Sequence, residues 1–233
     1  MKDMNEIWKE SVYFGVGISI LGYAIGEILK KKYKFAIFNP LLIGILVVIG
    51  ILLTFRIDYQ VYKESAKYLT YLLTPATVCL AIPLYQQLDI LKKNLKAVLI
   101  GIISGVLSSL TSILAFAFLF SLTHEQYVTL LPKSITTAIA IGITEELGGI
   151  TTVTIAVIVV TGLLGNLLAE SICKLARIQE PIAVGLAIGT SAHAVGTARA
   201  LELGEIQGAM SSLAVAVAGL LTVVGASVFA NFL

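Results

Sequence analysis

Charge is what this sequence lacks most. Only 13% of its 233 residues are Asp, Glu, Lys or Arg, about half of the roughly 25% usual in soluble domains. Hydrophobic residues make up 58%. A net charge of +2 says little about partners; no nucleic-acid partner is expected. Cys79 and Cys173 are the only cysteines, His124 and His193 the only histidines. None stands at metal-ligand spacing, so no metal and no cofactor is expected, and the cysteines read as small packing residues. No Walker loop appears, which leaves transport driven directly by ATP unsupported. A nucleophile elbow and a zinc-ligand pattern are also missing, so the chain is not expected to be an enzyme and no catalytic residue is assigned. At the N-terminus Lys2 and Lys9 mix with Asp3, Glu6 and Glu10, and no A-x-A-like site follows; this is not the pattern of a cleaved signal.

What the sequence has instead is apolar runs that approach or pass the roughly 18–20 residues needed to span a bilayer. They lie at 11–29, 40–55, 97–120, 150–169 and 208–233. The expected class is therefore an all-α, polytopic integral membrane protein of about seven transmembrane helices. Basic residues cluster between the runs: Lys30, Lys31, Lys32 and Lys34; Lys92, Lys93 and Lys96; Lys174 and Arg177. The positive-inside rule places these loops in the cytoplasm, and with them the chain in the cell's inner (plasma) membrane. Keeping 89–96 and 172–180 on one side requires the stretch "LPKSITTAIAIGITEELGG" (131–149) to return to the side it left. It is expected to be re-entrant or broken.

A short internal similarity points the same way. "PATVCLAIP" (75–83) and "PIAVGLAIG" (181–189) agree at five of nine positions, and the expected topology runs 66–86 inward and 181–198 outward. Related segments of opposite polarity are the mark of inverted repeats. The whole chain, 1–233, is expected to form a single transmembrane domain, with tentative repeats at 35–121 and 150–233 on either side of 131–149.

In lipid every backbone N–H and C=O needs a partner, so non-helical backbone is tolerated only inside protein or beside water. Candidate breaks are Pro75 and Pro83, Pro132 and Gly142, and Gly189 and Gly196. Polar residues gather on two of these segments. In "TSAHAVGTARA" (190–200), His193 and Thr197 share a helical face, with Ser191 and Arg199 nearby. Histidine is suited to accept a proton, and arginine can hold a carboxylate through two parallel hydrogen bonds. In 131–149, Ser134, Thr136 and Thr137 offer hydroxyls, Glu145 is a candidate proton relay, and Lys133 and Glu146 read as end caps. For His193 the competing reading is a buried imidazole bonded to a carbonyl, and for Arg199 snorkelling at a helix end.

These segments also carry a family resemblance. "PKSITTAIAIGITEELGGI" (132–150) and "GLAIGTSAHAVGTARALELGEIQGAMSSLAV" (185–215) resemble the LrgB/CidB family of bacterial membrane proteins over nearly the whole chain. The signature departs at Ala192, which separates Ser191 from His193, and at Ala138, where the family often has proline. The resemblance implies either carriage of small monocarboxylates (pyruvate, glycolate or glycerate), or a holin/antiholin-like role in murein hydrolase export and autolysis beside a small LrgA/CidA-like subunit. The residues favour the carrier, because a lytic pore has no use for histidine, arginine and hydroxyls on interrupted segments. The expectation is a secondary transporter or facilitator, proton- or sodium-coupled, lined by Ser134, Thr136, Thr137, Ser191, His193, Thr197 and Arg199. Glu145 and His193 are the coupling candidates, and the chain is expected to form a homo-oligomer.

Overall fold

The structure is a computed structural model that describes residues 11, 13–33, 38–72, 75, 78–79 and 81–233. The charged residues at positions 2–10 and Lys34 lie outside the described residues. Among the described residues the regular structure is entirely helical, in two compact units, Met1–Cys79 and Leu80–Leu233.

The first unit contains α1 (Phe14–Tyr33), α2 (Pro40–Thr54) and α3 (Tyr59–Thr70). Asn39 starts α2: its Oδ1 accepts from the N–H groups of Leu41 (2.9 Å) and Leu42 (3.2 Å), and Pro40 occupies the first turn, where no N–H is needed. Glycines let α1 and α2 touch backbone to backbone. A Cβ on Gly22 would stand 3.0 Å from the Gly44 carbonyl oxygen, and one on Gly26 would stand 2.7 Å from Pro40 Cα. α3 is pinned to α1 where Ser65 Oγ accepts from the Gly15 N–H at 2.8 Å.

The second unit runs through α4 (Ala81–Gln86), α5 (Leu88–Lys93), α6 (Leu95–Leu119), α7 (His124–Leu130), α8 (Thr137–Glu146), α9 (Thr151–Leu175), α10 (Pro181–Leu203) and α11 (Glu205–Phe229), closing on a 3-10 turn, Ala230–Phe232. Four of its helices are long and apolar enough to cross a membrane: α6, α9, α10, and α11 with its terminal turn. Outward-facing Ile100, Leu107 and Phe116 on α6, Val160 and Leu164 on α9, and Leu220 and Val224 on α11 are exposed, as lipid-facing positions should be. In the first unit α2 is apolar but has 15 residues, about 22 Å, short of the roughly 30 Å hydrocarbon core.

Length and composition mislead for α10. His193 interrupts it with φ 43° and ψ −146°, and the chain doubles back. A Cβ on Gly196 would lie 3.0 Å from Ile188 Cγ2 and 3.4 Å from the Ile188 carbonyl oxygen. In a straight helix these residues would be about 12 Å apart. Val184 and Ala200, one from each arm, share a buried cluster with Cys173 of α9. The outward crossing expected at 181–198 is thus a hairpin of two arms, 181–192 and 194–203, with His193 at its tip.

The second re-entrant element is α7–α8. α7 begins beside the C-terminus, where Tyr127 Oη donates to the Phe229 carbonyl (2.9 Å). α8 ends beside the start of α9, where Thr144 and Thr154 pair through their hydroxyls (3.0 Å) and Thr154 donates to the Thr129 carbonyl (2.8 Å). Both ends of this element therefore meet the same end of the unit. Its turn, 131–136, reaches α6 where Ser134 and Ser109 pair at 3.1 Å. Ser109 lies ten residues inside Leu119, about 15 Å, or half the hydrocarbon thickness.

α6 and α9 are consequently antiparallel, and the basic residues before α6 (Lys92, Lys93) and at the end of α9 (Lys174, Arg177) mark one common end. The α7–α8 hairpin enters from the opposite end, and the α10 hairpin from the basic end. Of the expected breaks, Pro83 falls within the backbone of α4, while positions 73–74 and 76–77 around Pro75 lie outside the described residues. Pro132 is in the turn of the first hairpin, and Gly142 is in the middle of α8.

The α10 hairpin depends on missing side chains in its neighbours. A Cβ on Gly165 would lie 2.1 Å from Ala192 Cβ, whereas one on Gly17, exposed on α1, would meet nothing within 4 Å. Gly165→Ala is expected to destabilise the protein by about 1–3 kcal/mol, and Gly17→Ala to be neutral or slightly stabilising. Thermal unfolding of the two variants in detergent checks the contrast; equal effects would contradict the packing described.

Candidate functional site

The tip of the α10 hairpin is held by three helices. On α9, Ile158, Gly162, Gly165 and Asn166 lie along one face. The imidazole of His193, 4% exposed, reaches the Ile158 carbonyl with Nε2 at 3.0 Å. Since a carbonyl only accepts, Nε2 carries the proton, and Nδ1 of the neutral ring is left with a lone pair. The ring fits because residue 162 is glycine: a Cβ there would stand 2.7 Å from His193 Cε1. Side chains also bond the backbone just past the reversal. Asn166 Nδ2 donates to the Val195 carbonyl at 2.8 Å, and Thr197 Oγ1 donates to the His193 carbonyl at 3.0 Å. Ser211 of α11 in turn meets Thr197 Oγ1 at 2.8 Å.

On α11, close approach is again set by glycine: a Cβ on Gly189 would lie 2.5 Å from the Ser211 carbonyl oxygen. On α6, a Cβ on Gly105 would lie 2.6 Å from Thr190 Oγ1. Gly105 and Ser109 are one turn apart on α6, about 6 Å. One receives Thr190 from the α10 hairpin, and the other receives Ser134 from the α7–α8 hairpin. Two hairpins from opposite ends of the unit thus reach adjacent turns of the same helix. A groove of about 540 Å³, lined by Asn94, Gly101, Gly105, Glu180, Ala187 and Thr190 among others, runs between α6 and the first arm of α10 up to this point.

At the first tip, Ser134 is buried, accepts from Lys133 Nζ at 2.9 Å and pairs with Ser109. Thr136 is the N-cap of α8, yet its side chain makes no capping bond, and Thr137 follows as the first helical residue. Both are half-buried. The first N–H groups of α8, and those of the second arm of α10, have no intrahelical acceptors and carry the positive ends of their helix dipoles. Both positive ends sit at hairpin tips.

The structure brings Ser134, Thr136 and Thr137 together at one tip, and His193 and Thr197 at the other. Ser191 is exposed, bonded to the Ala187 carbonyl at 2.6 Å, and faces a separate 100 Å³ pocket with Gly165, Ala169 and Cys173. Arg199 is away from the tip, at the base of the second arm, paired with Glu170 of α9 and with Glu202 at 2.6 Å. Glu145 is exposed near the far end of α8, about 12 Å along the helix from Thr137. Gly189 and Gly196 serve close packing of the hairpin. Sequence reasoning missed Ser109 and Ser211 as partners of the tips, and the ion pairs of Glu170 and Glu202. Only the small-residue pattern "GLLGN" (162–166) hinted at the cradle on α9.

The chain belongs to the LrgB-like family, whose profile matches residues 19–232. It is similar to the Antiholin-like protein LrgB of Bacillus mycoides (strain KBAB4), 36% identical over 222 residues, covering 95% of this chain and 96% of the relative. The proteins of the same name from Bacillus cereus (strain B4264) and Bacillus anthracis (strain CDC 684 / NRRL 3495) match to the same extent. No solved structure matches.

The backbone at His193 occupies a region that suits glycine. His193→Gly and His193→Ala both lose the bond to Ile158, but only glycine relieves the backbone. His193→Gly is expected to be the more stable of the two by about 1 kcal/mol or more, read from unfolding midpoints in detergent. The reverse order would mean that the chain does not reverse at this residue.

Proposed function

We propose that this LrgB-family membrane protein is a secondary carrier or facilitator of small monocarboxylates, of the pyruvate, glycolate or glycerate kind, binding them between its two hairpin tips. What carries the reading is the approach of two hairpins from opposite ends to adjacent turns of α6. Each presents a half-helix N-terminus where an anion is stabilised by unpaired N–H groups and the helix dipole. Ser134, Thr136 and Thr137 line one side. Thr197 and the Nδ1 lone pair of His193 belong to the other, which makes His193 the first proton-coupling candidate, with exposed Glu145 on α8 the second. With Arg199 held in ion pairs, it serves to fasten the hairpin to α9. Alternating access follows if each hairpin in turn yields to its own side of the plasma membrane. A small LrgA/CidA-like subunit and a homo-oligomeric state are part of the proposal.

A second reading is favoured by the name of the relatives, antiholin-like: a regulator of lysis that moves no solute. Uptake of labelled pyruvate and glycolate into proteoliposomes separates the two. The carrier predicts saturable uptake that His193→Ala lowers by about tenfold or more, with a pH gradient driving accumulation if His193 relays the proton. Uptake indifferent to both pH and sodium leaves a facilitator. A folded wild-type protein that moves neither acid, alone or with the small subunit, sinks the carrier reading in favour of the regulator.

A further inference from the structure

Two cations belong to the re-entrant hairpins, Lys133 and Arg199, and their surroundings differ. Arg199 is neutralised by Glu170 and Glu202. Lys133 is half-buried, and among the described residues no carboxylate comes within ion-pair distance of it; its hydrogen bond goes to the neutral Ser134 Oγ at 2.9 Å. Its neighbour Ser134 is tied to Ser109, which fixes this residue's place about 15 Å from the end of α6, near the bilayer's middle. An ammonium at that depth is costly and normally finds a counter-charge or a ligand. The acidic residues of its own hairpin offer none: Glu145 and Glu146 are exposed at the other end of α8, and Glu125 is in the first turn of α7.

From this we infer that Lys133 is the anchor for the substrate's carboxylate, an inference that rests on the carrier reading above. The ammonium supplies the charge, while Ser134 Oγ, Thr136 Oγ1 and the first N–H groups of α8 supply hydrogen bonds around it. Lysine is a point charge that imposes no bidentate geometry, so the hydroxyls and N–H groups set the orientation. One uncompensated cation balances one carboxylate. The site therefore selects monoanions, and a dianion such as succinate or malate would bring a second charge with no partner at the same depth.

The test uses the full chain in proteoliposomes with Cys79 and Cys173 replaced by alanine and labelled pyruvate as the probe. Lys133→Cys is expected to raise KM at least about tenfold with a smaller effect on kcat. Treatment with 2-aminoethyl methanethiosulfonate, which rebuilds an ammonium on the introduced thiol, should restore uptake. Methyl methanethiosulfonate, which adds no charge, should not, and excess pyruvate should slow both modifications. Lys133→Arg, which keeps the charge, should retain saturable uptake, and succinate should compete poorly against pyruvate in the wild type. An unchanged KM in Lys133→Cys overturns the assignment, as does a modified thiol that recovers no uptake. If Lys133→Cys does not fold, Lys133→Arg decides: loss of uptake in that folded variant overturns the assignment. Failure of the cysteine-free parent and of the wild type to move pyruvate or glycolate, alone or with the small subunit, would instead remove the carrier reading itself.

Discussion

Hydrocarbon offers no partner to a backbone N–H or C=O, and the rest of this structure depends on how that constraint is met. Two segments of the second unit reverse direction inside the membrane, and each reversal releases backbone groups that a helix would pair. α9 and the hydroxyls of the hairpins themselves supply hydrogen bonds beside them. Asn166 covers the Val195 carbonyl, Thr197 covers that of His193, and Thr129, Thr144 and Thr154 close the base of the other hairpin. Glycines at 105, 162, 165 and 189 remove the side chains that would keep these groups apart.

The same constraint explains why polar chemistry gathers where it does. A reversal must be lined with donors and acceptors, so the tips accommodate hydroxyls, an imidazole and an ammonium at that depth. It also exposes the positive ends of two short helices toward a common region. A site for a small anion thus arises from the way the backbone is satisfied. α6 and α9 run oppositely, and the hairpin that follows each enters from a different end of the unit.

Membrane class, helical content and the interruption at 131–136 were legible in the sequence. Apolar run length reports the first two, and Pro132 with the placement of the basic residues on either side of 131–149 reports the third. An interruption between Gly189 and Gly196 was legible, but that the chain doubles back there, at residue 193, was not. It falls on histidine rather than glycine or proline, within a stretch whose length and hydropathy suit a straight span. Arg199 read equally well as a ligand or a snorkelling side chain, because its fate is decided by Glu170, 29 residues away. Lys133 read as an end cap because nothing local shows that its neighbour Ser134 meets Ser109, 25 residues upstream. Local pattern carried the elements, and non-local pairing carried the site.

In this fold 181–203 turns back at His193 instead of crossing. Single cysteines at Gln179 and Glu205, both exposed and flanking that segment, and at Ser121 and Glu146, flanking the other hairpin, can be labelled from one side of oriented vesicles with an impermeant maleimide. Gln179 and Glu205 are expected to label from one side, and Ser121 and Glu146 from the other. Labelling of Gln179 and Glu205 from opposite sides would contradict it, since 181–203 would then cross the membrane.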